Sequence, residues 1–229
     1  IGQAQTGTGK TAFFVLPFFQ NWQPSEDPAP QGIVLCPTRE LVVQVCEEAQ
    51  KLAPTDQIRC MAIYGGTRFG DQLRSLRRGL DLVVGTPGRV LDHLGRGTLR
   101  LDRIRYAVLD EADRMLDIGF RPDIEKILRR CPSDRQTLLL SATLPPPVLR
   151  LAQRYMHDPL NINLSPDKIT VQNIRQTYLT VDEDWKVELL FKVLEREQPR
   201  QCIIFCARKR WAEELYHDLR EDHRRTAVM

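Results

Sequence analysis

The chain has 229 residues, 42% hydrophobic and 28% charged, which describes an ordinary globular chain and excludes a disordered or collagen-like one. Its 33 Lys and Arg against 30 Asp and Glu leave a formal charge of +3, only weak support for an anionic partner such as nucleic acid. Six cysteines without paired Cys-x2-Cys spacing argue against a zinc site or disulfide framework and for a reducing cytoplasm, while no signal peptide or membrane-length apolar run is visible.

In chain order, Ile1-Gly2 reads as the end of a strand feeding the octapeptide Ala4-Gln5-Thr6-Gly7-Thr8-Gly9-Lys10-Thr11. Gly7 and Gly9 let the backbone turn without a Cβ, so successive N–H groups point at phosphate oxygens. Lys10 adds a point charge at the terminal phosphates, and the Thr11 hydroxyl is placed to hold magnesium. Ala4 departs from the usual Gly-x4-Gly-Lys-Ser/Thr, standing where the first glycine is expected. Ala12–Leu16 continues as a helix whose N-terminal dipole favours an anion, and Pro17 bends or ends it.

Asn21–Gln31, with Pro24, Pro28 and Pro30, is a loop. Strand-like runs follow at Gly32–Cys36, Arg59–Tyr64, Leu82–Gly85, Tyr106–Asp110 and Thr137–Ser141. Helical patterns at Glu40–Leu52, Gly70–Arg77, Arg89–Leu94 and Pro122–Arg130 alternate with them, which predicts βαβ units and a parallel sheet. A helix at Val148–Met156 and a strand around Leu160–Leu164 complete a first domain, residues 1–165. Residues 166–173 read as a polar linker. A second βα pattern occupies residues 174–229, with a strand at Ile174–Val181, helix Asp184–Arg196, strand Cys202–Cys206 and helix Arg208–Leu219. Cys36, Cys202 and Cys206, in apolar strand-like runs, read as small buried hydrophobes.

The apolar run at Tyr106–Leu109 suits a strand buried on both faces, and ligands gather at the carboxyl ends of such strands. Asp110 is therefore expected to face Thr11 across a magnesium ion, with Glu111 beside it to orient or deprotonate an attacking water. Acidic residues at a strand end also serve as turn formers or helix caps; the phosphate loop upstream favours the metal.

The chain resembles a DEAD-box ATP-dependent RNA helicase, with the box spelled out at Asp110-Glu111-Ala112-Asp113. Other motifs stand in that family's order: Pro37-Thr38-Arg39-Glu40-Leu41, Gly65-Gly66, Thr86-Pro87-Gly88-Arg89, Ser141-Ala142-Thr143 and Ile203-Ile204-Phe205-Cys206. The wording Gly2-Gln3-Ala4-Gln5-Thr6-Gly7 looks most like bacterial members. The resemblance implies an α/β fold: a RecA-like parallel sheet flanked by helices, of the P-loop NTPase type, followed by an incomplete second RecA-like domain. It implies ATP and Mg2+ as cofactors, with Lys10, Asp110 and Glu111 catalytic and Thr11 and Asp110 holding the metal, partly through water. It implies RNA as the partner, gripped through phosphates and 2′-hydroxyls by Pro37, Thr38, Arg39, Gly65, Gly66, Thr86, Pro87, Gly88 and Arg89, so base preference should be low. Asp113, Ser141 and Thr143 would couple nucleotide state to RNA strain.

Relative to the family, the upstream glutamine motif that reads adenine and the later arginine-bearing motifs lie outside this sequence. A phosphoryl-transfer arginine is worth on the order of 10³–10⁵ in rate. The expectation is weak Mg-ATP binding and poor turnover by this chain alone, and loose packing of residues 174–229. The leading activity is RNA-stimulated ATP hydrolysis coupled to local duplex unwinding. An ATP-gated RNA clamp or scaffold is the alternative, and a DNA translocase the third reading. Arg74, Arg77 and Arg78 could touch RNA, although an exposed helix face suits them better.

Overall fold

Short β-branched and aliphatic runs bounded by turn residues form the strands, and amphipathic stretches between them form the helices. The structure, a computed structural model, describes residues 1–3, 9–163, 175, 177–222 and 226–228. The chain divides into two compact units, 1–169 and 170–229; the expected linker, 166–173, lies outside the described residues.

In the first unit the order is β1 (Gly2–Gln3), α1 (Lys10–Asn21), β2 (Gly32–Leu35), α2 (Arg39–Leu52), β3 (Cys60–Ile63), α3 (Phe69–Arg77), β4 (Leu82–Gly85) and α4 (Pro87–Gly95). Then follow β5 (Tyr106–Leu109), α5 (Ala112–Asp117), α6 (Arg121–Leu128), β6 (Gln136–Ser141), α7 (Pro146–Tyr155) and β7 (Ile162–Asn163). The strands make one seven-stranded sheet, β3-β4-β2-β5-β6-β1-β7, parallel throughout. Such a sheet requires cover on both faces. The register Ile33↔Val83 and Ile33↔Ala107 puts these side chains on one face. There they meet Val90 and Leu94 of α4, Met115 of α5, Ile124 and Ile127 of α6 and Val148 and Leu151 of α7. The alternate residues Val34, Val84 and Val108 point the other way, onto Phe14 and Phe18 of α1 and Val42 and Val45 of α2.

α1 runs through Pro17 to Asn21, so Pro17 neither ends the helix nor is needed as a stop. A mid-helix proline costs about 3 kcal/mol. Full burial of Phe14, Val15, Phe18 and Phe19, at roughly 1.5–3 kcal/mol each, outweighs it. The short α5, which no periodic pattern announces, is held by Ala112 and Met115, both fully buried.

The second unit contains a 3-10 turn (Glu183–Trp185), α8 (Lys186–Glu197) and α9 (Lys209–Asp222). The strand expected at Cys202–Cys206 is absent; these residues have no regular structure, and Ile203 and Phe205 are 74% and 92% exposed. The described part of Ile174–Val181, residues 175 and 177–181, is likewise irregular. A strand needs a neighbour for its N–H and C=O groups, and among the described residues of this unit none is paired. For the same reason Cys202 is exposed and Cys206 only half-buried, against the expectation of buried thiols. Among the described residues here, only Leu219 is buried.

Candidate nucleotide site and nucleic-acid interface

All strands of the parallel sheet end on one edge, so the segments that follow them converge there. β1 leads into Ala4, Gln5, Thr6, Gly7 and Thr8, which lie outside the described residues. The chain is described again at Gly9, whose left-handed backbone (φ 80, ψ 18) makes it the N-cap of α1, with the Phe13 N–H donating to its carbonyl at 3.1 Å. A side chain here would be strained by the backbone angle rather than by crowding, since a Cβ would meet nothing within 4 Å. Lys10 and Thr11 open the helix, both half-buried. Gln3 Nε2 donates to the Ala142 carbonyl at 3.2 Å and ties the start of this loop to the segment after β6.

Asp110 stands one residue past β5 and is only 3% exposed. Its carboxylate accepts the Glu111 N–H at 3.0 Å. Burial pushes its pKa up to about 6, against the pull of the Lys10 charge, and Glu111 adds to the rise. A desolvated carboxylate with spare lone pairs, in the field of a lysine at a helix N-terminus, fits a magnesium-phosphate group. Among the described residues there is no cluster of three or more His, Cys, Asp or Glu side chains able to hold a metal alone.

Glu111 adopts left-handed backbone angles (φ 51, ψ 53), rare for a residue with a side chain. Its Oε2 lies 3.2 Å from Arg114 Nη1, one helical turn on. Asp113 clasps the segment after β6. Its Oδ2 accepts the Thr143 hydroxyl at 2.7 Å and the Thr143 N–H at 2.9 Å, and its own N–H donates to Ser141 Oγ at 3.1 Å. Burial pushes the Asp113 carboxyl up, but the bonds from Thr143, Ser141 and the Arg114 N–H outweigh it and leave its pKa below the usual value.

The ends of β2, β3 and β4 carry the other expected residues. Thr38 caps α2, its hydroxyl accepting the Leu41 N–H at 3.3 Å. Pro37 and Pro87 are buried and shape the backbone rather than offer surface. Arg39 is exposed, its guanidinium 5.1 Å from the centroid of the Tyr64 ring. Gly65, Gly66 and Gly88 are exposed and Thr86 is half-buried; Gly66 has φ 83, which a side chain would strain. Arg89 Nη2 donates to the Thr67 carbonyl at 3.3 Å. The sheet thus brings Gly9–Thr11, Asp110–Asp113 and Ser141–Thr143 to one part of the edge and Arg39, Gly65-Gly66 and Thr86–Arg89 to the other.

Sequence reasoning missed Tyr64, Arg114 and Gln3. Arg114 was findable, since i,i+3 spacing on a helix pairs it with Glu111. Tyr64 and Gln3 carry no local signal, because their partners are far along the chain. Among the described residues no helix is long and apolar enough to cross a membrane.

Comparison with known proteins identifies the family. The DEAD/DEAH box helicase family model matches residues 1–151. The DEAD-box ATP-dependent RNA helicase CshA of Bacillus subtilis (strain 168) is 46% identical over 215 residues, covering 94% of this chain and 43% of that protein. Its counterpart in Geobacillus kaustophilus (strain HTA426) is also 46% identical, with 94% and 46% covered. The chain therefore spans less than half the length of these curated relatives. The crystal structure of a DEAD box protein from the hyperthermophile Methanococcus jannaschii superposes with a TM-score of 0.68 at 40% identity, over 97% of this chain and 59% of that one.

Proposed function

Since the chain belongs to the DEAD/DEAH box helicase family, we propose that it binds ATP at the Gly9–Thr11 end of its sheet edge and RNA at the Arg39–Arg89 end, and couples hydrolysis at the first to strain in the second. The names of its relatives, ATP-dependent RNA helicases, support this reading. The observation that carries it is the Asp113–Thr143 clasp, which joins the box after β5 to the segment after β6 on the nucleotide part of the edge.

Each residue has a physical task. Lys10 places its charge against phosphate oxygens at a helix N-terminus. Thr11 and Asp110 hold magnesium, and Asp110 must stay ionised to do so. Magnesium, when bound, neutralises charge that develops on the phosphates. Glu111 sits where its carboxylate orients or deprotonates water, and Arg114 fixes its direction. Arg39 and the backbone at Gly65, Gly66 and Gly88 face phosphates and 2′-hydroxyls, contacts that favour RNA over DNA without reading bases.

The test is the initial rate of ATP turnover by the unaltered chain, alone and with single-stranded RNA or DNA of equal length. RNA should stimulate more than DNA, and Lys10→Ala should remove nucleotide binding. Equal stimulation by both polymers would assign the edge to nucleic acid in general, and no nucleotide binding at all would overturn the proposal.

A further inference from the structure

Two polar side chains on amphipathic helices, where solvent exposure is the ordinary outcome, are instead buried together: Gln72 of α3 at 5% exposure and His93 of α4 at 0%. A buried amide and imidazole persist only when their hydrogen bonds are met. Here they meet each other, His93 Nε2 lying 2.9 Å from Gln72 Oε1. Gln72 Nε2 donates to the Tyr64 carbonyl at 3.0 Å and to Thr67 Oγ1 at 2.7 Å. A carbonyl only accepts, which orients the amide and puts the histidine proton on Nε2. That leaves His93 Nδ1 as an acceptor, 2.9 Å from Thr98 Oγ1, whose single proton is shared between Nδ1 and the His93 carbonyl at 3.0 Å.

The two anchors of Gln72, Tyr64 and Thr67, bracket Gly65-Gly66. The His93 ring also stacks on Phe69, with centroids 4.3 Å apart and planes at 15°. Phe69 in turn carries the guanidinium of Arg96 at 4.4 Å and that of Arg89 at 5.8 Å. Arg89 is held by Thr67 O through Nη2, while its Nη1 is buried without an acceptor among the described residues. A chain of contacts therefore runs from the buried Gln72–His93 pair, through the half-buried Thr67 and Phe69, to the exposed glycine turn and to Arg89.

We infer that Gln72 and His93 are positioning residues that hold the Gly65-Gly66 turn and the Arg89 guanidinium in the geometry that binds RNA backbone. The inference rests on the reading of this edge as RNA-facing. The preformed turn and fixed cation spare the protein the ordering cost of gripping phosphates. The nucleotide residues lie beyond this chain of contacts, so RNA affinity depends on the pair and ATP affinity does not.

The experiment measures equilibrium binding of a fluorescent single-stranded RNA and of Mg-ATP, over a range of salt, to the 229-residue chain and to variants. Gln72→Met keeps the volume and loses all of these bonds. Gln72→Glu keeps the acceptor for His93 but loses both donors into the turn, which serves if the first variant fails to fold. Both should bind RNA about tenfold more weakly, the loss expected for one charge-assisted contact. The slope of log K against log salt should fall by about one, as when one phosphate contact goes. Mg-ATP affinity should not change. Ile127→Val in α6, a core residue that makes none of these hydrogen bonds, should lower the thermal midpoint without either RNA effect. Unchanged RNA affinity in both glutamine variants overturns the inference, and so does parallel loss of RNA and ATP binding. Failure of the unaltered chain to bind RNA overturns the reading of the edge and the inference with it.

Discussion

The Thr143 hydroxyl donates to Asp113 Oδ2 at 2.7 Å, and the Thr143 N–H reaches the same oxygen at 2.9 Å. One carboxylate oxygen thus holds both the backbone and the side chain of the segment after β6. Thr143→Val keeps the shape and the N–H bond but removes the hydroxyl. It should cost about 1 kcal/mol of stability. ATP affinity should persist while RNA stimulation of turnover falls; retained stimulation would assign the clasp to folding alone. The depressed Asp113 pKa has a sign that can be tested separately. It contributes stability above the unfolded pKa of about 4 that disappears as pH falls through the folded value. Asp113→Asn should therefore flatten the acid limb of the stability curve, as followed by circular dichroism.

Asp110 behaves oppositely, because burial raises its pKa to about 6. The folded form keeps this proton to higher pH than the unfolded chain does. Its contribution is full below about pH 4 and is lost as pH rises through about 6, leaving a cost near neutrality of about 3 kcal/mol at most. Asp110→Asn should raise the thermal midpoint at about pH 8 and change it little at about pH 4. It should also abolish turnover. A midpoint unchanged at the higher pH would show that the carboxylate is not desolvated as its 3% exposure implies.

Glu111 carries backbone strain at φ 51. Glycine adopts that conformation freely, so Glu111→Gly should stabilise the protein by roughly 1 kcal/mol while turnover is lost. Glu111→Gln keeps the side-chain shape and should retain nucleotide binding without turnover. A glutamine variant with normal turnover would remove the carboxylate from the reaction.

Arg39 is exposed, and its guanidinium lies over the Tyr64 ring. Arg39→Ala should weaken RNA binding about equally for all sequences and lower the salt slope by about one. Titration with RNAs of different base composition reads both effects. Sequence-dependent loss would point to base contacts instead.

Pro17 removes one backbone donor from α1, a helix that continues to Asn21. Pro17→Ala restores the donor, so the fold should gain on the order of 1–2 kcal/mol, less the entropy that proline removes from the unfolded chain. Urea unfolding would show a higher midpoint at unchanged slope; a lower midpoint would mean that the ring packs against a neighbour more than it disrupts.

Much of this was legible in the residues. The strands at Leu82–Gly85 and Tyr106–Leu109 are continuous β-branched and aliphatic runs ended by Gly85 or Asp110, and they fall where such runs predict. Thr38 illustrates a local signal that serves structure, since its position before Arg39 makes it a helix cap whatever else it touches. The expected strand at Cys202–Cys206 has the same kind of local signal and does not form. A continuous apolar run states a preference, and only a neighbouring strand supplies the hydrogen bonds that realise it. Pro17 fails as a stop signal for the mirror reason, with core burial of its neighbours overriding a local rule.

The sequence by itself determined the layered α/β architecture of the first unit, the phosphate-loop wording and the acidic pair after β5, because these depend on runs of neighbouring residues with their own steric and hydrophobic preferences. Tertiary structure alone decided that Asp110 is buried beside Lys10, that Thr143 bonds Asp113, and that Gln72 and His93 meet beneath Gly65-Gly66. Those relationships join residues on different strands and helices, through sheet order and packing that no local pattern encodes. Desolvation and hydrogen-bond geometry, which set the chemistry of each group, exist only once the chain has brought them together.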